Sequence, residues 1–384
     1  MIVKSVRLKN WKNFPDADVR LTERTYLLGA NASGKSNFLD VFRFLRDISR
    51  SQGGGLQKAI NDRGGIKKIR CLHARQDTEI KIEVHLSESI ESQTNWIYVL
   101  AIKRESGGAH RNLISAEEVY HGSTCLLKRP DENDSKDAVR LTQTSLEQIQ
   151  ANADFREIAE YFEKTTYLHL VPQLLRFGDQ IGGQLLEGDP FGQGFLERIA
   201  RTGKKSRDSR LKRIENALSS IVDHFQDLRF IKDDATGRPH LEMKYAHWRK
   251  DAGWQREEQF SDGTLRLIAL LWILQEGESL LLLEEPELSL NNDIISEIPL
   301  LFQRITRDRK KRSRQILTST HSEAIFKNEG IDPDGVLLLE PAQEGTKIRM
   351  PDAEEKALFE NGFSIAEVML PRIAPEKVKQ LTLF

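Results

Sequence analysis

The sequence predicts an α/β fold of mixed sheets and helices with a mainly helical insertion, and three observations lead there. Residues 25–28, TYLL, form an apolar strand-like run that leads into the glycine-rich stretch GANASGKSN and then into FLDVFRFLRDI, whose apolar residues recur with helical spacing. From about residue 256 onward, helix-like and strand-like runs alternate (LIALLWIL, LLLLEE, QILTST), the order that builds a parallel sheet. Between about 138 and 255 the clearest patterns are helical instead.

In chain order, MIVKSVRLKNW alternates like a strand, and EIKIEVHL and NWIYVLAI continue that pattern beyond the first helix. The polar run KRPDENDSKD at 128–137 reads as an exposed loop that closes an N-terminal lobe at residues 1–128. LEQIQANADFREIAEYFEK and SRLKRIENALSSIVDHF are the clearest helices of a second unit, 138–255, and the Gly-rich RFGDQIGGQLLEGDPFGQG between them reads as irregular. A third unit, 256–384, carries the helix and strand alternation. No internal repeat and no long heptad run is visible.

Composition narrows the classes. A 384-residue chain with 39% hydrophobic residues can bury a large core. Its formal net charge of -1 gives no global field for nucleic acid, so such binding needs a local basic patch. Two cysteines, Cys71 and Cys125, cannot make a disulfide framework and lack metal-ligand spacing. No signal-peptide core or membrane-length apolar run is present, so a soluble, cytoplasmic protein without membrane contact is expected.

GANASGKSN fits G-x-x-x-x-G-K-[ST], with Gly29, Gly34, Lys35 and Ser36 at the fixed positions. Such a loop, comprising Gly29, Ala30, Asn31, Ala32, Ser33, Gly34, Lys35, Ser36 and Asn37, folds its N–H groups around phosphate at a helix N-terminus. Lys35 is expected to reach the β and γ phosphates of ATP and Ser36 to ligate Mg²⁺. A chance match is disfavoured because the motif lies between a strand pattern and an amphipathic helix.

Further along, LLLLEEPELSL ends an apolar run in adjacent acids, Glu284 and Glu285. One carboxylate can complete an Mg²⁺ shell while its neighbour polarises a water for attack on the γ phosphate. Upstream, in FSDGTLRLIALLWIL, Ser261 or Asp262 can cap a helix and Gly263 permits close backbone approach. Downstream, QILTSTHSEAIF ends a strand-like run at His321.

Taken together, the phosphate loop, S-D-G-T, the apolar strand with E-E-P-E and the S-T-H-S resemble the head of ABC-type P-loop ATPases of the RecF, SMC and OLD group, most of all the small stand-alone prokaryotic ATPases often found in defence loci. The likeness covers residues 1 to about 125 and 255 to 350 well, and the stretch 138–250 less specifically. It implies ATP hydrolysis in a homodimer that sandwiches two nucleotides, so that Ser261, Gly263 and Thr264 contact ATP held by the partner subunit. It further implies Glu285 as catalytic base, His321 as the γ-phosphate-sensing switch, and Glu287 to Asn291 as a loop at the dimer interface. Lys12 and Asn13, in KNWKNF, correspond to a segment near the adenine and α phosphate. Glu284 stands where many such enzymes have Asp. The glutamine of the metal shell is not assigned, with Gln57 and Gln76 both open.

The resemblance also sets limits. Ser36 and Ser261 are too close in sequence for the long coiled coil of SMC proteins, and the short stretch after His321 is not expected to hold the nuclease domain of an OLD protein. The S-D-G-T signature disfavours a transporter ATPase. Two basic runs, RTGKKSRDSRLKR at 201–213 and RITRDRKKRSR at 304–314, are candidate DNA contacts, with a solvated surface as the plain alternative. Trp248 and Trp254 near these runs suggest base stacking, with the buried core as the preferred reading. Two roles follow: a RecF-like DNA clamp, or a regulator of a separately encoded nuclease or toxin seated on the insertion or on the tail ending in Leu381 and Phe384.

Overall fold

In the computed structural model, residues 1–74, 77–181, 185–186, 188–249, 252–277, 279–307 and 314–373 are described. Strands β1 (Ile2–Trp11), β2 (Phe14–Arg20), β3 (Arg24–Gly29), β4 (Ile80–Ser87), β5 (Trp96–Arg104), β6 (Asn112–His121) and β7 (Thr124–Arg129) occupy the N-terminal lobe. They are followed by β8 (Thr166–Leu168), β9 (Phe225–Lys232), β10 (Pro239–Tyr245), β11 (Trp254–Arg256), β12 (Leu281–Glu284), β13 (Ile316–Thr320), β14 (Val336–Ala342) and β15 (Gly345–Arg349). One sheet, β2-β1-β4-β5-β6-β7, is antiparallel throughout. The central sheet, β15-β14-β3-β13-β12-β8, is parallel except for its β15 edge. A third, small antiparallel sheet runs β11-β10-β9.

The central strands are apolar on both sides because both faces are covered. Leu27, Leu282, Leu317, Leu337 and Leu339 join the core formed with Phe38, Phe42 and Leu45 of helix Lys35–Ser49 and with Val6, Leu8, Ile82 and Leu100 of the antiparallel sheet. The alternate residues Leu28, Leu281, Leu283, Ile316 and Leu338 join the other core, with helix Asp262–Leu274 and with Leu228, Leu241 and Met243 of the small sheet. That helix is apolar on nearly every side, as expected of one wrapped by protein. A buried Gln315 ties the sheets together: its amide exchanges 2.8 Å hydrogen bonds with both backbone groups of Val3 and donates to Thr22 O at 3.0 Å.

The stretch 138–255 carries strands as well as helices. It holds helices Arg156–Glu163, Pro172–Phe177, Phe195–Arg201 and Lys204–Leu218, but also β8 to β11. The alternation was present in FQDLRFIK, where Leu228 faces inward while Arg229 stays exposed, and was outweighed by the helical run before it. The first predicted helix begins only at Arg156, after a 3₁₀ turn at Ala153–Phe155; the Asn152 side chain bonds Leu146 O at 3.0 Å, a local alternative to helix. β8 pairs with β12, so this stretch supplies an edge strand of the central sheet. Trp248 is not core: it is 81% exposed in the β10–β11 connection, while Trp254 is half-buried.

Candidate nucleotide site

β3, β13 and β12 run parallel and in register, with Leu27 opposite Ser319 and Ser319 opposite Glu284. Their carboxyl ends therefore open at one level, the place where parallel α/β sheets bind ligands. The phosphate loop leaves β3 at Gly29 and enters helix Lys35–Ser49 through Gly34, whose φ of 101° only glycine adopts readily. A Cβ at Gly34 would lie 2.1 Å from the Asn13 amide. The helix has no side-chain cap, so its first N–H groups remain available to an anion. Lys35 folds back, donating to Gly29 O at 2.8 Å and Ala30 O at 3.1 Å. Burial pushes its ammonium below the ordinary value, against the pull of Glu285, Glu287 and Glu284. The Ser33 hydroxyl is buried without a partner, whereas Asn31, Ala32 and Ser36 face solvent.

Ser36 Oγ donates to Glu284 Oε1, joining the loop to the end of β12. A hydroxyl beside a carboxylate is a hard-oxygen donor pair that suits Mg²⁺. Among the described residues no cluster of three His, Cys, Asp or Glu forms a self-contained metal site, so phosphate and water oxygens would complete the shell. Glu285 turns away in a left-handed conformation, φ 45°, and its Oε1 lies 3.2 Å from His321 Nδ1 at the end of β13. Glu287 Oε1 accepts from Thr320 Oγ1 at 2.6 Å and from His321 N at 3.4 Å, which fixes the histidine backbone. Burial raises the pKa of Glu287, with the Thr320 hydroxyl opposing. Ala32, Glu285 and Ser289 all have positive φ without being glycine, a strain of about 1–3 kcal/mol each that is held where residues must be aimed.

Ser261 caps helix Asp262–Leu274 by accepting from Thr264 N at 3.1 Å, and its Oγ lies 2.8 Å from Thr264 Oγ1. A Cβ on Gly263 would come within 2.5 Å of Ser289 O, so the glycine allows the 287–291 loop to pack on the signature. Among the described residues, Ser261, Gly263 and Thr264 make no hydrogen bond to the phosphate loop of their own chain.

A family described as "AAA domain, putative AbiEii toxin, Type IV TA system" matches residues 24–327, from the start of β3 to beyond the histidine turn. The chain belongs to that AAA-domain family. It is also 32% identical over 91 residues to the DNA replication and repair protein RecF of Agathobacter rectalis, a match that spans 23% of this chain and 25% of that protein. The fold is similar to an Smc head bound to the C-winged helix domain of ScpA, with a TM-score of 0.57, 13% identity, and 93% and 100% of the two chains covered. It is also similar to an Smc head with an extended coiled coil bound to the C-terminal domain of ScpA derived from Pyrococcus furiosus, with a TM-score of 0.50, 13% identity and 94% and 98% coverage. The chain therefore has the ABC-type ATPase fold of the RecF and SMC class.

The structure brings the loop, the two acids and the histidine together, and the remaining candidates are placed as follows. Asn13 props up the loop, donating to Ser33 O at 3.0 Å and Thr346 Oγ1 at 2.8 Å and accepting from Asn37 at 2.7 Å. Lys12 pairs with Asp40 at 2.6 Å. Gln57 is engaged with Asn112 O and Thr142 O, and Gln76 lies outside the described residues. Within 201–213, Arg207 and Arg210 pack over Phe230 and Trp272, while Arg201, Lys204, Lys205, Lys212 and Arg213 are exposed. Arg314 is buried against Ser279 O and Ile273 O rather than free on the surface, and residues 308–313 lie outside the described residues.

Three residues of the site were missed. Tyr167 donates its hydroxyl to Glu284 Oε2, Arg43 lies 4.0 Å over the Tyr167 ring, and the buried Arg266 donates to Leu170 O, its burial lowering its pKa against the opposing charges of Glu287 and Glu285. Tyr167 and Arg266 were readable only as apolar-run and helix residues, because their strand pairing and burial are set by distant segments.

Proposed function

We propose that this protein hydrolyses ATP with Mg²⁺ at a site shared between two copies of the chain. One observation carries the reading: Ser36, Glu284, Glu285 and His321 meet at the adjoining ends of β3, β12 and β13, with Ser36 touching Glu284 and His321 facing Glu285. The loop N–H groups and Lys35 hold the phosphates. Ser36 and Glu284 would hold the metal, which would supply charge neutralisation to the phosphates. Glu285 orients a water and accepts its proton, and His321 steadies Glu285 and contacts the γ phosphate. Ser261, Gly263 and Thr264, unlinked to their own loop, reach the nucleotide of the partner subunit. Phosphate release from ATP is expected with Mg²⁺ and not with EDTA; no release in Mg²⁺ by a folded chain would contradict hydrolysis.

The outlet of this cycle is a bound macromolecule. The family description places its members in a type IV toxin–antitoxin system, which supports a role as one member of a two-gene pair. The other member's seat would be the 138–255 stretch or the tail, whose Leu381 and Phe384 lie outside the described residues. The likeness to RecF supports a second reading, DNA engagement, and one surface favours it. The exposed indole of Trp248 lies beside the His247 ring (5.6 Å) with Arg249 4.4 Å over it, at the tip of a hairpin that also holds Lys244. An open indole beside cations suits an unpaired base. Single-stranded oligonucleotide is expected to quench tryptophan fluorescence in a salt-sensitive way, and Trp248→Ala to abolish the quenching. Unchanged quenching in that variant would remove this surface from the DNA reading.

No helix among the described residues is long and apolar enough to cross a membrane.

A further inference from the structure

Glu284 has one more torsion than the aspartate common at this position, so its carboxylate needs more to hold it. Ser36 Oγ engages only Oε1. The other oxygen, Oε2, is taken by the hydroxyl of Tyr167, which comes from β8, the parallel neighbour of β12. The ring of Tyr167 is itself held: it is 7% exposed, and the Arg43 guanidinium lies 4.0 Å from its centroid. Arg43 stands seven residues after Ser36 on helix Lys35–Ser49, so the helix that presents the serine also clamps the tyrosine. Just beyond the end of β8, His169 Nδ1 lies 3.3 Å from the Glu284 carbonyl. Strand β8 and the residue that follows it thus contact both the carboxylate and the carbonyl of this one residue.

The geometry assigns Tyr167 as the positioning residue of the metal-holding acid: its hydroxyl pins Oε2 of Glu284 so that Oε1, beside Ser36 Oγ, is presented to the Mg²⁺ of bound Mg–ATP. The terminal torsion of a glutamate is broad and twofold, so a carboxylate held at one oxygen samples orientations that turn the other away. A phenol at Oε2 removes that freedom before metal arrives. Donors to the uncoordinated oxygen of a ligating carboxylate typically change metal affinity by about 10–100-fold when removed.

This inference rests on the ATPase reading, and the experiment separates the two. Binding of a fluorescent ATP analogue is titrated with MgCl₂ from an EDTA-treated start, and Mn²⁺ binding to the nucleotide complex is followed by electron paramagnetic resonance. Tyr167→Phe is expected to bind nucleotide in EDTA as the parent does, yet to need about tenfold more Mg²⁺ for the metal-dependent change and to bind Mn²⁺ correspondingly more weakly. A merely structural role would weaken nucleotide binding in EDTA as well, and that result would overturn the assignment. So would an unshifted metal titration. A second variant guards against damage to the fold: in a Glu284→Asp background the shorter acid no longer reaches the phenol, so adding Tyr167→Phe should leave the metal titration where it is. Full additivity there would also overturn the inference. Failure of the parent chain to bind nucleotide at all would overturn the ATPase reading, and this inference with it.

Discussion

Glu285→Gln is expected to retain bound ATP while turnover falls by about 10²–10⁴-fold, the usual contribution of a positioned general base. Glutamine keeps the length and planarity of the side chain and can still hydrogen-bond His321, which stands 3.2 Å from the carboxylate. It cannot accept a proton from water at neutral pH. The left-handed backbone at Glu285 is unaffected by the change, because the strain belongs to the turn between β12 and Pro286 and not to the carboxylate. Phosphate release and filter retention of labelled ATP, measured on the same preparation, check both halves. Parental turnover would show that another group serves as base.

Lys35→Ala is expected to lose at least about 100-fold in ATP affinity, because two charge-assisted hydrogen bonds to phosphate are worth roughly 1.5–3 kcal/mol each. The nucleotide-free fold should lose little. Lys35 is buried at a cost that shows in its lowered pKa, and its present partners are two carbonyls of the loop itself. Melting without nucleotide should therefore stay near the parental temperature, while the rise that ATP gives the parent by linkage disappears. A large drop without nucleotide would mean that Lys35 supports the fold as well as the ligand.

The legible and illegible parts of this chain divide on a physical line. The phosphate loop could be read because its function demands particular residues at fixed spacing: Gly34 for a φ no other residue adopts easily, Lys35 and Ser36 for their donors. The Glu284–Glu285 pair and His321 could be read because each ends an apolar run, and in a parallel sheet strand ends meet. Tyr167 could not. It lies in a three-residue strand whose partner, β12, is more than a hundred residues away, and nothing local distinguishes it from a core tyrosine. The small sheet β9 to β11 was hidden for a related reason, since its outer face carries Arg229 and Arg256 paired with Glu242 and so lacks an apolar run to mark it. Trp248 was misplaced because hydrophobicity alone assigns tryptophan to the core, whereas here the chain turns it out at a hairpin tip.

The central claim is that each nucleotide site is built from two chains, and a mixing experiment tests it most directly. Gly263 is a poor place to break the signature, because any side chain there would strike Ser289 O at 2.5 Å and disturb the 287–291 loop of its own chain. Ser261→Asp is cleaner: aspartate also caps helices, so Asp262–Leu274 keeps its N-terminus while a negative charge faces the phosphates. Lys35→Ala and Ser261→Asp should each be inactive alone. In a mixed dimer one site carries both defects and the other carries neither, so the account predicts that mixing restores part of the parental ATP turnover. Co-assembly of the two variants, confirmed by capture on a tag carried by only one of them, with turnover no greater than the sum of the separate preparations, would contradict it.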